Sequence, residues 1–395
     1  MPSRNARLLL LAMCFGVASC DTTPALFGSA AQLSGADSWI SASSCSESAH
    51  QLVNEAIEAA NNVEAGRAWG LSQAALIIDP GCVAAQIAQA ALASANEEWG
   101  SRGTRLAALE GQEMTPSERA WASVLSTAGD ERLAGCEAAA EEFPNDALFA
   151  RCAIPATAEG AAQLVEWTRR FPSLAASAHN VMAYGYAQGS WGMEINEAES
   201  ARQLEMYLSM HDGPNAYDSY AELSHGQGND STAFEYQLKA IDRGGVLYQA
   251  SAVRYRRFSQ RAAIEEALRA AMTEMASAAA SGDTEVNGKH MAASFIMCYS
   301  SMSPCQEETV EGYQARTGGL NWQTSGITDV EVSFGPDMLV AMTHGNQTGT
   351  YTDSNGQLVE YSTRVSMVWD LSGAAPKLIQ ANFAPMGGAG IPSAE

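Results

Sequence analysis

The sequence predicts a multidomain protein with two folded parts in series, an all-α region of packed helices over residues 46–258 and an α+β domain over 259–395. Three observations carry this. From Ser46 onward, alanine-rich stretches set apolar residues three and four apart, the spacing of one helix face. Asp79-Pro80-Gly81, Phe143-Pro144-Asn145, Phe171-Pro172-Ser173 and Gly213-Pro214-Asn215 punctuate them, and such clusters turn a chain between helices. Beyond Gly282-Asp283 the apolar period drops to two, as in half-buried strands. Bulk agrees: 395 residues, 46% hydrophobic and 17% charged, are enough for more than one core and too apolar for a disordered chain. Lys and Arg total 22 against 45 Asp and Glu, a formal charge of -23, which repels phosphate backbones and argues against a nucleic-acid partner.

At the N-terminus, Arg4 and Arg7 precede an uncharged run from Leu8 to Ala18, about half the length of a membrane-spanning helix. This is the pattern of a signal peptide over residues 1–19. The run ends in Val17-Ala18-Ser19-Cys20, which resembles the bacterial lipobox. The resemblance implies that Cys20 is lipidated and becomes the new N-terminus. The mature protein would then sit in the bacterial cell envelope, facing the periplasm or exterior and touching the membrane through its lipid anchor alone. Residues 20–45, rich in Ser, Ala, Thr and Gly, read as a flexible tether.

The cysteines agree with export. Of eight, Cys14 leaves with the signal peptide and Cys20 takes the lipid, which leaves six. No Cys-x-x-Cys pair is present and the histidines show no short ligand spacing, so neither a metal nor another cofactor is expected, and disulfides are the better reading. Cys136 lies eight residues before Pro144 and Cys152 eight after it; a helical hairpin turning there sets them at the same height. Cys298 and Cys305 flank a turn-rich segment, and Cys45 and Cys82 are left to each other.

Within the helical region, Thr115-Pro116-Ser117-Glu118 has the cap, first-turn proline and third-position acid of a helix start. Ala56, Ala68, Ala75 and Pro80 fall in one register of small residues, Tyr217, Ala221, Gly228, Ala233 and Ala240 in another, and Ala139 precedes Pro144 as Ala75 precedes Pro80. The spacing resembles tetratricopeptide repeats, whose helical pairs of about 34 residues stack into a solenoid. Units of unequal length and an insertion at Trp191–Asn196 depart from the pattern. The resemblance implies a groove for a protein or peptide partner, which Tyr184, Tyr186, Trp191, Tyr217 and Tyr220 would line.

In the second part, Ile264, Leu268, Met272, Met275 and Ala279 mark one amphipathic helix ending near Gly282-Asp283. Val330, Val332 and Phe334 alternate with polar neighbours, Gly335-Pro336-Asp337 turns the chain, and Met338 to His344 is a strand. Asn355-Gly356 closes a hairpin into a strand through Trp369, and Lys377 to Phe383 is the last. This order, with a Glu307–Arg316 helix, Arg364-x-Ser366-x-Val368-Trp369 and Lys377-Leu-Ile-Gln-Ala-Asn382-Phe-Ala384, resembles the SnoaL-like group of the nuclear transport factor 2-like fold. The resemblance implies a cone in which a curved antiparallel sheet wraps an N-terminal helix around an apolar pocket.

Ketosteroid-isomerase-like enzymes of that fold carry an acid on an early strand, yet Ser294 to Tyr299 has none, and Asn382 stands where related sequences often hold a histidine. His344 is the one candidate base. Tyr361, Met367 and Trp369 share a strand face and, with Asn382, are the expected pocket lining. The reading is an envelope-anchored binding or assembly scaffold whose cone takes a small apolar ligand or a partner. The alternatives are an isomerase-like enzyme acting on a small apolar substrate and a scaffold whose cone only dimerises.

Overall fold

A computed structural model describes residues 37–299, 305–317, 321–353 and 355–387. The signal peptide, Cys20, the turn between Cys298 and Cys305 and the Gly388-Ala389-Gly390 tail lie outside them. The helical part runs through α1 (Glu47–Asn61), α2 (Ala65–Ile78), α3 (Val83–Leu92), α4 (Arg102–Ala107), α5 (Pro116–Ser126), α6 (Gly129–Glu142) and α7 (Ala147–Cys152). It continues with α8 (Ala158–Arg170), α9 (Ala176–Gln188), α10 (Glu197–Met210), α11 (Pro214–Gly226), α12 (Asp230–Asp242) and α13 (Gln249–Ser259). Three of the four proline clusters fall between helices, and in the fourth Pro214 opens α11 at a position where its missing N–H has no helical partner to lose. Ala56, Ala68, Ala75, Ala139, Ala221, Ala233 and Ala240 are all buried, so the small-residue register marks where helices approach most closely.

Thr115 forms the full capping box: its Oγ1 accepts from the Glu118 N–H at 3.2 Å while Glu118 Oε2 accepts from the Thr115 N–H at 2.8 Å. The other oxygen of Glu118 accepts from the Ser44 N–H at 2.9 Å and from its hydroxyl at 2.8 Å. That second bond corrects the expected tether over residues 37–45, while its residues 20–36 lie outside the described residues. Residues 37–45 are built into the helical core rather than leading up to it. Trp39 and Ile40 are buried, Ser38 bridges to Asp146 in parallel, and the Ala147 and Leu148 N–H groups donate to the Ser38 and Trp39 carbonyls. Asn54 brackets Ile40, accepting from its N–H at 3.1 Å and donating to its carbonyl at 3.3 Å. Asp146, fully buried, accepts from the Ser41 N–H at 2.8 Å and the Ser117 hydroxyl at 2.6 Å. A serine-rich composition reads as linker because serine leaves helices readily; here its hydroxyls and backbone N–H groups satisfy buried carboxylates from distant helices.

All three expected disulfides form: Cys45–Cys82, Cys136–Cys152 and Cys298–Cys305. The first pins the 37–45 segment to the start of α3, the second closes the α6–α7 hairpin, and each cross-link of this kind stabilises by about 2–4 kcal/mol.

A hydrogen-bonded cluster around the buried Glu64 ties the α1–α2 turn to the α10–α11 turn. Glu64 Oε1 meets His211 Nε2 at 2.8 Å, Glu64 Oε2 meets Arg67 Nη1 at 3.1 Å, and the His211 ring stacks on Tyr207. Burial alone would raise the Glu64 carboxyl, but the bonds from His211 and Arg67 hold it below its ordinary value. One turn back, Glu58 accepts from Trp39 Nε1 at 2.7 Å and Asn62 Nδ2 at 2.8 Å, and there burial wins and pushes the carboxyl up.

The chain breaks at Gln260 and enters α14 (Arg261–Ser281), then α15 (Thr284–His290), β1 (Met291–Tyr299), β2 (Gln306–Thr309) and α16 (Val310–Thr317). β3 (Trp322–Phe334), β4 (Val340–Thr352), β5 (Leu358–Asp370) and β6 (Lys377–Pro385) complete it. The expected 307–316 helix starts only at Val310, because Gln306–Thr309 pair with β1 instead. The strand expected from Met338 starts at Val340 and runs to Thr352, since Met338 still belongs to the turn.

The sheet order is β2-β1-β6-β5-β4-β3, and β1 pairs with β6 in parallel. The sheet is thus mixed, which corrects the expectation of an antiparallel one. Between β1 and β6 the chain makes a long crossover through β2, α16 and the β3–β5 meander, and such a connection is what brings two strands together in the same direction. Bulges interrupt β1–β6, β3–β4 and β5–β6 and bend those strands. Leu268, Met272 and Met275 of α14 pack on Phe295, Met297, Val365, Met367, Trp369 and Leu378, forming a core separate from that of the helices.

Candidate functional site

The sheet's inner face and α14 do not close completely. Between them lies a cavity with about 50 Å³ of room for the centres of water-sized molecules. Met272 and Met275 of α14, Ile327 of β3, Met367 of β5 and Phe383 of β6 supply its apolar walls. Methionine suits this role because its unbranched chain can repack around different shapes.

Asn287, Gln347, Tyr299, Tyr313, Trp322 and Asp283 add polar atoms. The helix break at Gly282 after α14 places the first of these. Asp283 caps α15, accepting from the Val286 N–H at 3.2 Å, and this short helix carries Asn287 beneath the sheet. Gly288 follows, and a Cβ there would stand 2.8 Å from Gln314 Nε2 and 2.9 Å from Val310 Cγ1. Only glycine lets α16 come this near, and the approach brings the Tyr313 hydroxyl to 3.3 Å from Asn287 Nδ2. Asn287 is 4% exposed, and with Nδ2 turned to Tyr313 its Oδ1 is buried with no hydrogen-bond partner. Across the cavity, Gln347 Nε2 and the Tyr361 hydroxyl both donate to Ser325 Oγ at 2.9 Å, and burial raises the Tyr361 hydroxyl above its ordinary value.

The structure divides the sequence-predicted site residues. Met367 lines the cavity, and Tyr361 lies buried beside it, edge-on to Trp322. Trp369 is deeper, 0% exposed, with Nε1 donating to Thr343 Oγ1 at 2.9 Å, and belongs to the core. Asn382 is on the opposite face, a correction to its expected place in the pocket. Register decides this: His344 pairs with Ser366, and Ser366 with Asn382, so all three point away from Thr343, Met367 and Ala381, and Phe383 takes the inward position. His344 is 43% exposed on that outer face and meets Glu331 Oε2 at 2.9 Å, so it has no reach into the cavity.

Sequence reasoning missed Asn287, Gln347 and Tyr313. Tyr313 falls within the Glu307–Arg316 segment and Gln347 on the inward face of β4, but neither they nor Asn287 carry a signal of their own, and only the tertiary approach of α15, α16 and β4 brings them together. Among the described residues no group of three His, Cys, Asp or Glu is placed to hold a metal.

In the helical part, Tyr184, Tyr186, Trp191, Tyr217 and Tyr220 are each half-buried. Tyr184 donates to Glu222 Oε2 and Tyr217 to Asp212 Oδ1, both at 2.6 Å, while Tyr220 stacks on Tyr236 with ring centres 3.9 Å apart. Burial and the neighbouring Glu222 push the Tyr184 hydroxyl far up.

No family model and no curated protein matches the chain. Among solved structures, part of it is similar to NTF2-like domains. One is an NTF2-like protein from Cytophaga hutchinsonii, 15% identical, covering 32% of this chain and 98% of that one, with a TM-score of 0.27. Another, from Novosphingobium aromaticivorans, is an NTF2-like protein with a cystatin-like fold, 14% identical over 35% of this chain and 89% of that one, with a TM-score of 0.26. The association domain of C. elegans CaMKII is 14% identical over 32% of this chain and 98% of that one, also at 0.26.

Proposed function

We propose that the protein is an envelope lipoprotein whose tetratricopeptide-like helices hold a protein or peptide partner while the C-terminal domain binds a small apolar molecule. The single observation that supports ligand binding is the cavity between α14 and the sheet, with adaptable methionine walls and a few fixed polar atoms, the usual make-up of a small-molecule site. Purified full-length chain should therefore bind toluene saturably in isothermal titration calorimetry. Ala279→Phe, which fills the cavity from α14, should reduce that binding at least about tenfold, since filled apolar space leaves the ligand no surface to bury. Absence of saturable binding in the parent chain overturns the reading.

The buried alanines at helix contacts support the repeat reading, and three disulfides support an oxidising compartment. Among the described residues no helix is long and apolar enough to cross a membrane. The anchor in this reading is lipid on Cys20. Mass spectrometry of the native N-terminus should find a diacylglyceryl-modified Cys20, and Cys20→Ala should leave the membrane fraction. A Cys20→Ala protein that stays membrane-bound sinks the lipoprotein reading.

A further inference from the structure

The cavity's polar atoms are unequal in what they ask of a ligand, and the inference drawn from them rests on the ligand-binding reading above. Asn287 is buried and lines the cavity; its amide nitrogen is engaged by Tyr313, whereas its carbonyl oxygen has no partner. A buried acceptor without a donor is unfavourable, and water-excluded surroundings sharpen the penalty. A bound molecule removes it only by donating a hydrogen bond. One that brings a second acceptor, such as an ether, a ketone or a carboxylate, sets lone pair against lone pair.

Charge narrows the class further. Among the described residues, Asp283 at the rim is the one ionisable carboxylate of the lining, and no Lys, Arg or His lines it. Nothing there compensates a buried anion, and Asp283 repels it. At the opposite wall one N–H of the Gln347 amide donates to Ser325, which fixes how the amide is turned. Apart from these and the polar atoms of Thr284, Tyr299, Tyr313 and Trp322, the walls are apolar, and the methionines set the ligand's size by how far they yield.

We infer that the cavity selects a small neutral molecule with an apolar body and one hydroxyl or N–H group, which donates to Asn287 Oδ1. Alcohols, phenols and simple amides belong to this class; fatty acids and other carboxylates do not.

The test compares phenol, anisole, toluene and benzoate against the full chain by isothermal titration calorimetry at pH 7. Phenol and anisole share a ring and an oxygen, and differ in whether that oxygen can donate. Phenol is expected to bind about tenfold tighter than anisole, a difference of about 1.4 kcal/mol by that ratio, and benzoate is expected not to bind. In Asn287→Leu the phenol preference should fall to about onefold while toluene still binds, a pattern that a merely structural asparagine would not produce. Equal affinity for phenol and anisole in the parent chain, with toluene bound, overturns the inference and leaves the cavity reading standing. Benzoate binding as tight as phenol also overturns it. Failure of all the neutral probes overturns the cavity reading itself. Should Asn287→Leu not fold, the phenol–anisole comparison in the parent chain decides alone.

Discussion

Trp39→Ala is expected to cost the helical part about 3–5 kcal/mol, the range for truncating a fully buried tryptophan. Trp39 is 0% exposed, packs 5.7 Å from the Trp167 ring and donates through Nε1 to Glu58 at 2.7 Å. Truncation therefore does two kinds of damage. It opens a void between the 37–45 segment and the α7–α8 region, and it takes from Glu58 a donor that helps offset the burial of its carboxylate. Trp39→Phe separates the two, keeping most of the volume and losing only the donor, and should cost about 1.5–3 kcal/mol, the range for a bond to a charged group. Urea unfolding followed by far-ultraviolet circular dichroism, a signal dominated by helix, measures both variants. A Trp39→Ala midpoint equal to that of the parent would mean that residues 37–45 are dispensable to the core.

That segment shows where local reading stops. Proline punctuation located the helix ends, because proline acts on its own neighbours. The capping box at Thr115 was legible for the same reason, and so were the α14 face and the disulfide whose cysteines lie symmetrically about Pro144. Ser41 and Ser44 gave no such signal, since their partners Asp146 and Glu118 lie 105 and 74 residues away. Glu118 was visible as a helix-start acid, yet nothing in four residues of sequence says that its second oxygen holds Ser44.

Strand parity failed differently. Alternation along β5 correctly put Tyr361, Met367 and Trp369 on one face, but Asn382 belongs to another strand, and its face depends on the β5–β6 register and the bulge at Val368–Trp369. A shift of one residue in that register would exchange Asn382 with Phe383. The parallel β1–β6 pair is equally silent in sequence, because alternation describes which face a residue takes and not which neighbour its strand chooses. Asn287 was hidden for a third reason. It is an ordinary polar residue of a short helix, and it becomes notable only because its carbonyl has been left without a donor at an apolar cavity.

His211→Ala is expected to destabilise the helical part by about 1.5 kcal/mol, the lower end of the range for removing a hydrogen bond to a charged group. The His211 and Glu64 side chains are 10% and 6% exposed, and they join turns 147 residues apart in sequence. Gly213 makes room for the pair: a Cβ there would lie 2.0 Å from Glu64 Oε1 and 2.2 Å from His211 Nε2. The lower end applies because Arg67, itself more than half exposed, still reaches Glu64 in the variant. The cost should depend on pH with a defined sign. Native Glu64 sits below its ordinary value of 4.5, so the unfolded chain takes up the proton first as acid is added. Its stabilising contribution is thus complete above about pH 4.5 and is lost as the pH falls through the native value. Glu58 runs the other way, because burial raises it and the native state holds its proton more tightly than the unfolded chain does. Glu58 is present in both proteins, so the effect of its burial cancels in the comparison, and only the smaller influence of His211 on it differs. The deficit of the variant should be full at pH 7 and shrink as the pH drops below about 4.5, where the proton that Glu64 gains makes the lost partner matter less. A deficit that stays constant across that range would assign the loss to packing against Tyr207 and not to the bond with Glu64.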